Sequence, residues 1–163
     1  MTKTMKFALF GNVYQEHSCT SVQKFFNIAR IKEADIAISE QFYLFLHEHL
    51  KVDIPECEII KDNHFTADYV LCIGGDGTFL DVANRVGDKQ IPIIGINTGR
   101  LGFLASFSPD SIEETIEDIY ADRFNVEQHS VLQISCDEFQ LKDYPCALNE
   151  IAILKHDISS MIS

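Results

Sequence analysis

Apolar residues along this chain gather in short blocks, and the blocks are of two kinds. Some are continuous. Lys6-Phe7-Ala8-Leu9-Phe10-Gly11 reads as a buried first strand ending in glycine. Tyr69-Val70-Leu71-Cys72-Ile73 is a second such run, closed by Gly74-Gly75, and residues 91–96 form a third with Pro92 near its start. Unbroken apolarity over five or six residues means burial on both faces, as in a parallel sheet. Cys57-Glu58-Ile59-Ile60 is a shorter strand after Pro55.

Other blocks are periodic. Ile38, Phe42, Phe45, Leu46 and Leu50 lie at i, i+4, i+7, i+8 and i+12, one face of a helix. Residues 78–86 form a helix after the second long run. Ser108-Pro109-Asp110 has an N-cap serine, a proline in the first turn and an early acid, so a helix follows with Ile112, Ile116, Ile119 and Tyr120 as its apolar stripe. The expected order is strand, helix, strand, strand, helix, strand, helix. That order predicts an α/β fold: an open, mostly parallel sheet flanked by helices.

The pattern changes after about Ala121. Residues 131–136 and 147–154 read as strands with no helix between them. The predicted organisation is an α/β nucleotide-binding domain over residues 1–121, then the first strands of an incomplete β-rich domain over residues 122–163. No internal repeat, low-complexity tract or flexible linker interrupts the chain.

Charge narrows the partners. Lys and Arg total 13 against 25 Asp and Glu, a formal net charge of -12 over 163 residues. An acidic chain without a basic cluster argues against nucleic acid and anionic membranes as partners. No apolar run nears the roughly 20 residues of a membrane span, and no signal peptide is read at the N-terminus. The five cysteines, Cys19, Cys57, Cys72, Cys136 and Cys146, include no C-x-x-C pair. They predict reduced thiols and a cytoplasmic protein. His64, His129 and His156 have no spacing suited to a metal. Glu113, Glu114, Glu117 and Asp118 read as a solvated helix face.

The chemistry concentrates in Gly74-Gly75-Asp76-Gly77-Thr78, between a buried strand and a helix. Three glycines let the backbone turn tightly and approach a ligand. The helix start aims backbone N–H groups at one point, which suits a phosphate. A carboxylate within such a cradle would repel that phosphate unless it had a role of its own. It could hold Mg²⁺, or take a proton from an attacking hydroxyl. The string is neither a P-loop nor a dinucleotide fingerprint.

Gly-Gly-Asp loops also occur in lipid kinases and phosphofructokinases. Two further motifs separate the possibilities: Gly95-Ile96-Asn97-Thr98-Gly99-Arg100-Leu101-Gly102-Phe103-Leu104, and Leu148-Asn149-Glu150 followed by Ser159-Ser160-Met161-Ile162. In this order the three motifs resemble the NAD kinase family from about residue 66 to the end. The resemblance implies transfer of the ATP γ-phosphate to the adenosine 2′-hydroxyl of NAD, giving NADP. It implies Asp76 as the base at that hydroxyl, with Gly75, Gly77 and Thr78 around the phosphates. It implies that Asn97, Gly99, Phe103 and Leu104 line the dinucleotide site and that Asn149 and Glu150 contact adenosine and ribose. Arg100 is expected to help hold phosphate. Mg²⁺ is implied with ATP, polyphosphate is an alternative donor, and a homo-oligomer, dimer or tetramer, is implied as the assembly. The family's downstream Thr-Pro-Thr-Gly-Ser-Thr-Ala-Tyr segment has no match here. A catalytically incomplete, nucleotide-binding or self-associating fragment is therefore the alternative expectation, and a lipid or sugar kinase a more distant one.

Overall fold

The structure is a computed structural model, and it describes residues 4–13, 18–99, 102–135, 146–148 and 150. Five parallel strands form the sheet of the first compact unit, Met1–Glu127. They are β1 (Lys6–Gly11), β2 (Asp35–Ser39), β3 (Glu58–Ile60), β4 (Tyr69–Gly74) and β5 (Ile93–Asn97), in the spatial order β3-β2-β1-β4-β5. The helices are α1 (Ser18–Ile31), α2 (Glu40–Leu44), α3 (Asp76–Val86) and α4 (Ile112–Tyr120). The chain builds outward from β1 to β3, then returns to the other side of β1 for β4 and β5. The two directions of growth part between β1 and β4, where open α/β sheets leave a crevice beyond the strand ends.

Alternation along β1 divides the core into two layers. Phe7 and Leu9 face one side with Val22, Phe25, Phe26 and Ala29 of α1 and Ile112, Ile116 and Ile119 of α4. Ala8 and Phe10 face the other, with Val70 and Cys72 of β4 and Val82 and Val86 of α3. This two-sided burial is what the continuous apolar runs anticipate. The Phe7 and Phe25 rings meet edge to face at 5.6 Å. Exposed ion pairs from Lys24 to Asp110 (2.8 Å) and from Lys32 to Glu117 (2.6 Å) join α1 to the α4 region. The second compact unit, Gln128–Ser163, contains the antiparallel pair β6 (Leu132–Gln133) and β7 (Cys146–Ala147).

Three elements differ from expectation. Ile38 does not begin the helical stripe; it lies in β2, paired with Leu9 of β1. Its five-residue strand passes directly into α2, so an apolar position of the strand falls in phase with the helix. A π-helical turn, Phe45–His49, then continues from α2 and carries Phe45 and Leu46. The second difference is α1, absent from the expected order. Its signal is present, since Val22, Phe25, Phe26 and Ala29 lie at i, i+3, i+4 and i+7. Its first turn, Ser18-Cys19-Thr20-Ser21, has weak helix formers, and packing on the sheet overrides them. The expected strand at 91–96 begins only at Ile93, because Pro92 lacks the N–H a ladder needs; its carbonyl accepts from the Val70 N–H at 2.9 Å. Most of the expected strand 147–154 lies outside the described residues.

The packing yields two expected outcomes. Phe25→Ala should cost about 3–5 kcal/mol in urea unfolding, whereas Phe103→Ala, at a side chain 99% exposed, should stay within about 0.5 kcal/mol. Burial, with the Asp81 charge adding, pushes the Cys72 thiol up to about 12. The thiolate is the reactive form, so at pH 8 iodoacetamide should modify Cys72 only at the rate of unfolding. Rapid native-state labelling there would contradict the packing.

Candidate active site

β4 and β5 run in parallel register, Gly74 beside Asn97, so both release their chains at the same edge of the sheet. From β4 the chain enters α3 at once. Gly75 is its N-cap, in extended backbone (φ -103°, ψ -169°), and Asp76 stands in the first turn. From β5 the chain makes a turn and returns: Phe107 N–H donates to the Gly95 carbonyl at 3.0 Å and Asn97 N–H to the Phe107 carbonyl at 2.8 Å. Residues 97–99 and 102–107 therefore lie beside the start of α3.

Two side chains hold that loop. Asn97 is buried; its Oδ1 accepts from Gly99 N–H at 2.8 Å and its Nδ2 donates to the Ala105 carbonyl at 3.2 Å. Asp76 reaches across from α3. Its Oδ2 accepts from Phe103 N–H at 2.8 Å, and its Oδ1 from Leu104 N–H at 3.0 Å and Ala105 N–H at 3.1 Å. These bonds, led by the one from Phe103, hold the Asp76 carboxyl below the ordinary aspartate value.

The glycines have different reasons. None of Gly74, Gly75 and Gly77 has a positive φ, so the tight turn expected of them is not their purpose. A Cβ on Gly74 would crowd the Thr78 side chain, and one on Gly102 would overlap the Asp76 carboxylate. A Cβ on Gly95 would lie 2.7 Å from the Ala105 Cα. Gly75 and Gly77, by contrast, face open space, with nothing within 4 Å of an added Cβ. Among the described residues, no contact requires glycine at these two positions. Gly95, Gly102 and Ala105 were not among the expected site residues. Their signal was the pairing of Gly102 in one motif with an acid in the other, a relation that only the fold makes visible.

The structure thus brings together Gly75, Asp76, Gly77, Thr78, Asn97, Gly99, Phe103 and Leu104. The Phe103 ring is almost wholly exposed, and Leu104 is half-buried. Arg100 and Asn149 lie outside the described residues, and Glu150 is exposed in the second unit. Beside α3 is a cavity of about 350 Å³ lined by Phe10 and Gly11 of β1, Ser39 of β2, and Thr78, Asp81 and Arg85 of α3 among others. Thr78 is common to the glycine loop and to this cavity. Among the described residues, no group of three or more His, Cys, Asp or Glu side chains is placed to hold a metal ion.

Comparison with known proteins agrees with this architecture. Residues 4–124 match the family described as ATP-NAD kinase N-terminal domain. A curated NAD kinase of Bacteroides fragilis is 52% identical over 159 residues, covering 98% of this chain and 55% of the relative. One from Porphyromonas gingivalis is 37% identical, covering 96% and 54%. The chain spans about half the length of the curated relatives it matches. Among solved structures, the fold resembles that of yeast NADH kinase complexed with NADH, with a TM-score of 0.69 at 14% identity over 88% of this chain and 46% of the other.

The geometry predicts two measurements. Asn97→Ala removes the side-chain bonds to Gly99 and Ala105 from a buried position and should cost about 1–3 kcal/mol in chemical denaturation. A carboxyl whose folded pKa is depressed contributes stability that is complete above its unfolded value and is lost as pH falls through the folded one. The ordinary value is 3.8. The Asp76 carboxyl carbon, followed by NMR, should therefore titrate below 3.8, with the loop bonds intact at higher pH. A midpoint at or above 3.8 would contradict the three-bond arrangement.

Proposed function

The chain belongs to the NAD kinase family, and on that premise we propose that the protein transfers the γ-phosphate of ATP to the 2′-hydroxyl of the adenosine ribose of NAD, giving NADP. The observation that carries the reading is the pair of glycines that no contact among the described residues requires. Gly75 and Gly77 keep side chains away from the N-terminal end of α3, where helix geometry leaves backbone N–H groups without partners in the helix. A phosphate seated there needs that space and those donors. Phosphoryl transfer chiefly asks for positioning and charge neutralisation, which backbone amides and a nucleotide-bound Mg²⁺ supply.

In this reading the acceptor and donor approach α3 from opposite sides. NAD lies against the loop from β5, with Phe103 and Leu104 as apolar surface and Asn97 and Gly99 holding the loop's shape. Asp76 takes the proton from the attacking hydroxyl. Asn149, Glu150 and Arg100 complete the contacts to adenosine, ribose and phosphate. ATP, or polyphosphate, reaches the γ-phosphate position from the cavity beyond Thr78. Mg²⁺ arrives with the nucleotide. We read residues 1–121 as the α/β nucleotide-binding domain and residues 122–163 as the beginning of the β-rich, NAD-binding domain.

Assembly and location follow the same reading. Val131, Leu132 and Ile134 are exposed apolar residues in and beside a two-stranded sheet, and such edges favour self-association into a homo-oligomer. Among the described residues, Cys19, Cys57, Cys72 and Cys146 form no disulfide with one another, as the proposed reducing cytoplasm requires. Among the described residues no helix is long and apolar enough to cross a membrane.

The test is ATP- and Mg²⁺-dependent formation of NADP from NAD. In an active protein, Asp76→Asn should lower turnover by about 10²–10⁴-fold. Near-normal turnover would remove the base role. Gly77→Ala should leave the fold intact and raise helix stability by about 0.5–1 kcal/mol, since alanine replaces glycine within α3. The same change should weaken nucleotide binding. Unchanged nucleotide affinity in Gly77→Ala would show that no phosphate uses that space.

A further inference from the structure

The loop segment 102–105 is held in an unusual way. Phe103 is 99% exposed and contributes nothing by burial. Leu104 is only half-buried, and Ala105 is the first residue of the segment to enter the core. Three successive backbone N–H groups, of residues 103, 104 and 105, converge instead on one carboxylate. Consecutive amides of this kind form a concavity for an anion, and here the anion is Asp76 of a different element. Gly102 is the complement of this arrangement, because any side chain there would occupy the carboxylate's place.

Resting on the reading of this site as an NAD kinase acceptor site, we propose that Asp76 is a positioning residue before it is anything else: its carboxylate clasps the amides of residues 103–105 to α3 and so presents Phe103 and Leu104 to the acceptor nucleotide. The clasp spans 27 to 29 residues of sequence. It connects the glycine loop to the β5 loop at the point where the donor and acceptor sides of α3 meet. Gly102 acts through Asp76, as the position that must carry no side chain. With three amides bound, Asp76 is a weaker proton acceptor than a free carboxylate, and Oδ2, which accepts from Phe103 N–H, keeps a lone pair for a substrate hydroxyl.

Two properties of the chain decide the matter: amide hydrogen exchange at residues 103, 104 and 105, and NAD affinity by calorimetry. They are compared in the unchanged protein, Asp76→Ala, Asp76→Asn, Gly102→Ala and the Asp76→Ala/Gly102→Ala double variant. Amides of β4 report whether each variant is folded. Asp76→Ala should speed exchange at the three amides by about tenfold or more while β4 is unchanged. Asp76→Asn keeps one carbonyl oxygen, so it should rescue part of the protection. Gly102→Ala should reproduce the loss although it removes no functional group. NAD affinity should fall in the same order, and the double variant should be no worse than the worse single one, because both changes break one clasp. Unchanged exchange at 103–105 in Asp76→Ala overturns the proposal. Faster exchange without any fall in NAD affinity also overturns the positioning role. Failure of the unchanged protein to bind NAD is the separate sign that the acceptor reading has failed, and it removes the positioning role with it, whatever the exchange result.

Discussion

β4 is the constraint on which everything else in the first unit depends. It is hydrogen-bonded to β1 on one edge and β5 on the other, and its residues 70–74 are buried. A strand enclosed in this way has no freedom in register, because a slip of one residue would exchange its two faces. Gly74 therefore emerges at a fixed point beside Asn97, and both loops of the candidate site begin there. The first turn of α3 and the loop after β5 are neighbours because the sheet makes them so.

From that fixed point the site is assembled largely out of backbone. Asn97 and Asp76 use their side chains to hold main-chain groups of Gly99 and of residues 103–105, and the glycines at 74, 95 and 102 allow the close approaches this requires. Rigid scaffolding and an open ligand space are divided between adjacent residues of one motif. Gly74 is required by Thr78, whereas Gly75 and Gly77 are required by nothing within the described chain. That division distinguishes a glycine required by packing from two that face open space.

The formal charge of -12 would oppose the two anionic nucleotides of the proposed reaction if it acted uniformly. Locally the balance differs. The N-terminal end of α3 carries the positive end of a helix dipole, and the one acid within the glycine motif has its charge shared among three N–H donors. The field at the loop is set by these oriented groups at close range, while solvent and salt screen the distant surface acids.

Much of this was legible in the residues alone. The continuous runs of β1 and β4, the serine cap before α4 (Asp110 N–H to Ser108 Oγ, 3.2 Å) and the glycine–aspartate motif are local signals, because burial on two faces, capping and motif spacing each act over a few residues. The family also followed from motif order. What the chain could not announce was where strand ends and helix begins at residues 35–42, since Ile38 satisfies both periods until pairing with β1 decides. Nor could it show that Asp76 would spend both oxygens on amides 27 to 29 residues away, or that Gly102 is small because of that carboxylate. Those relations join residues distant in sequence, and only the parallel register of β4 and β5 brings them within hydrogen-bond range.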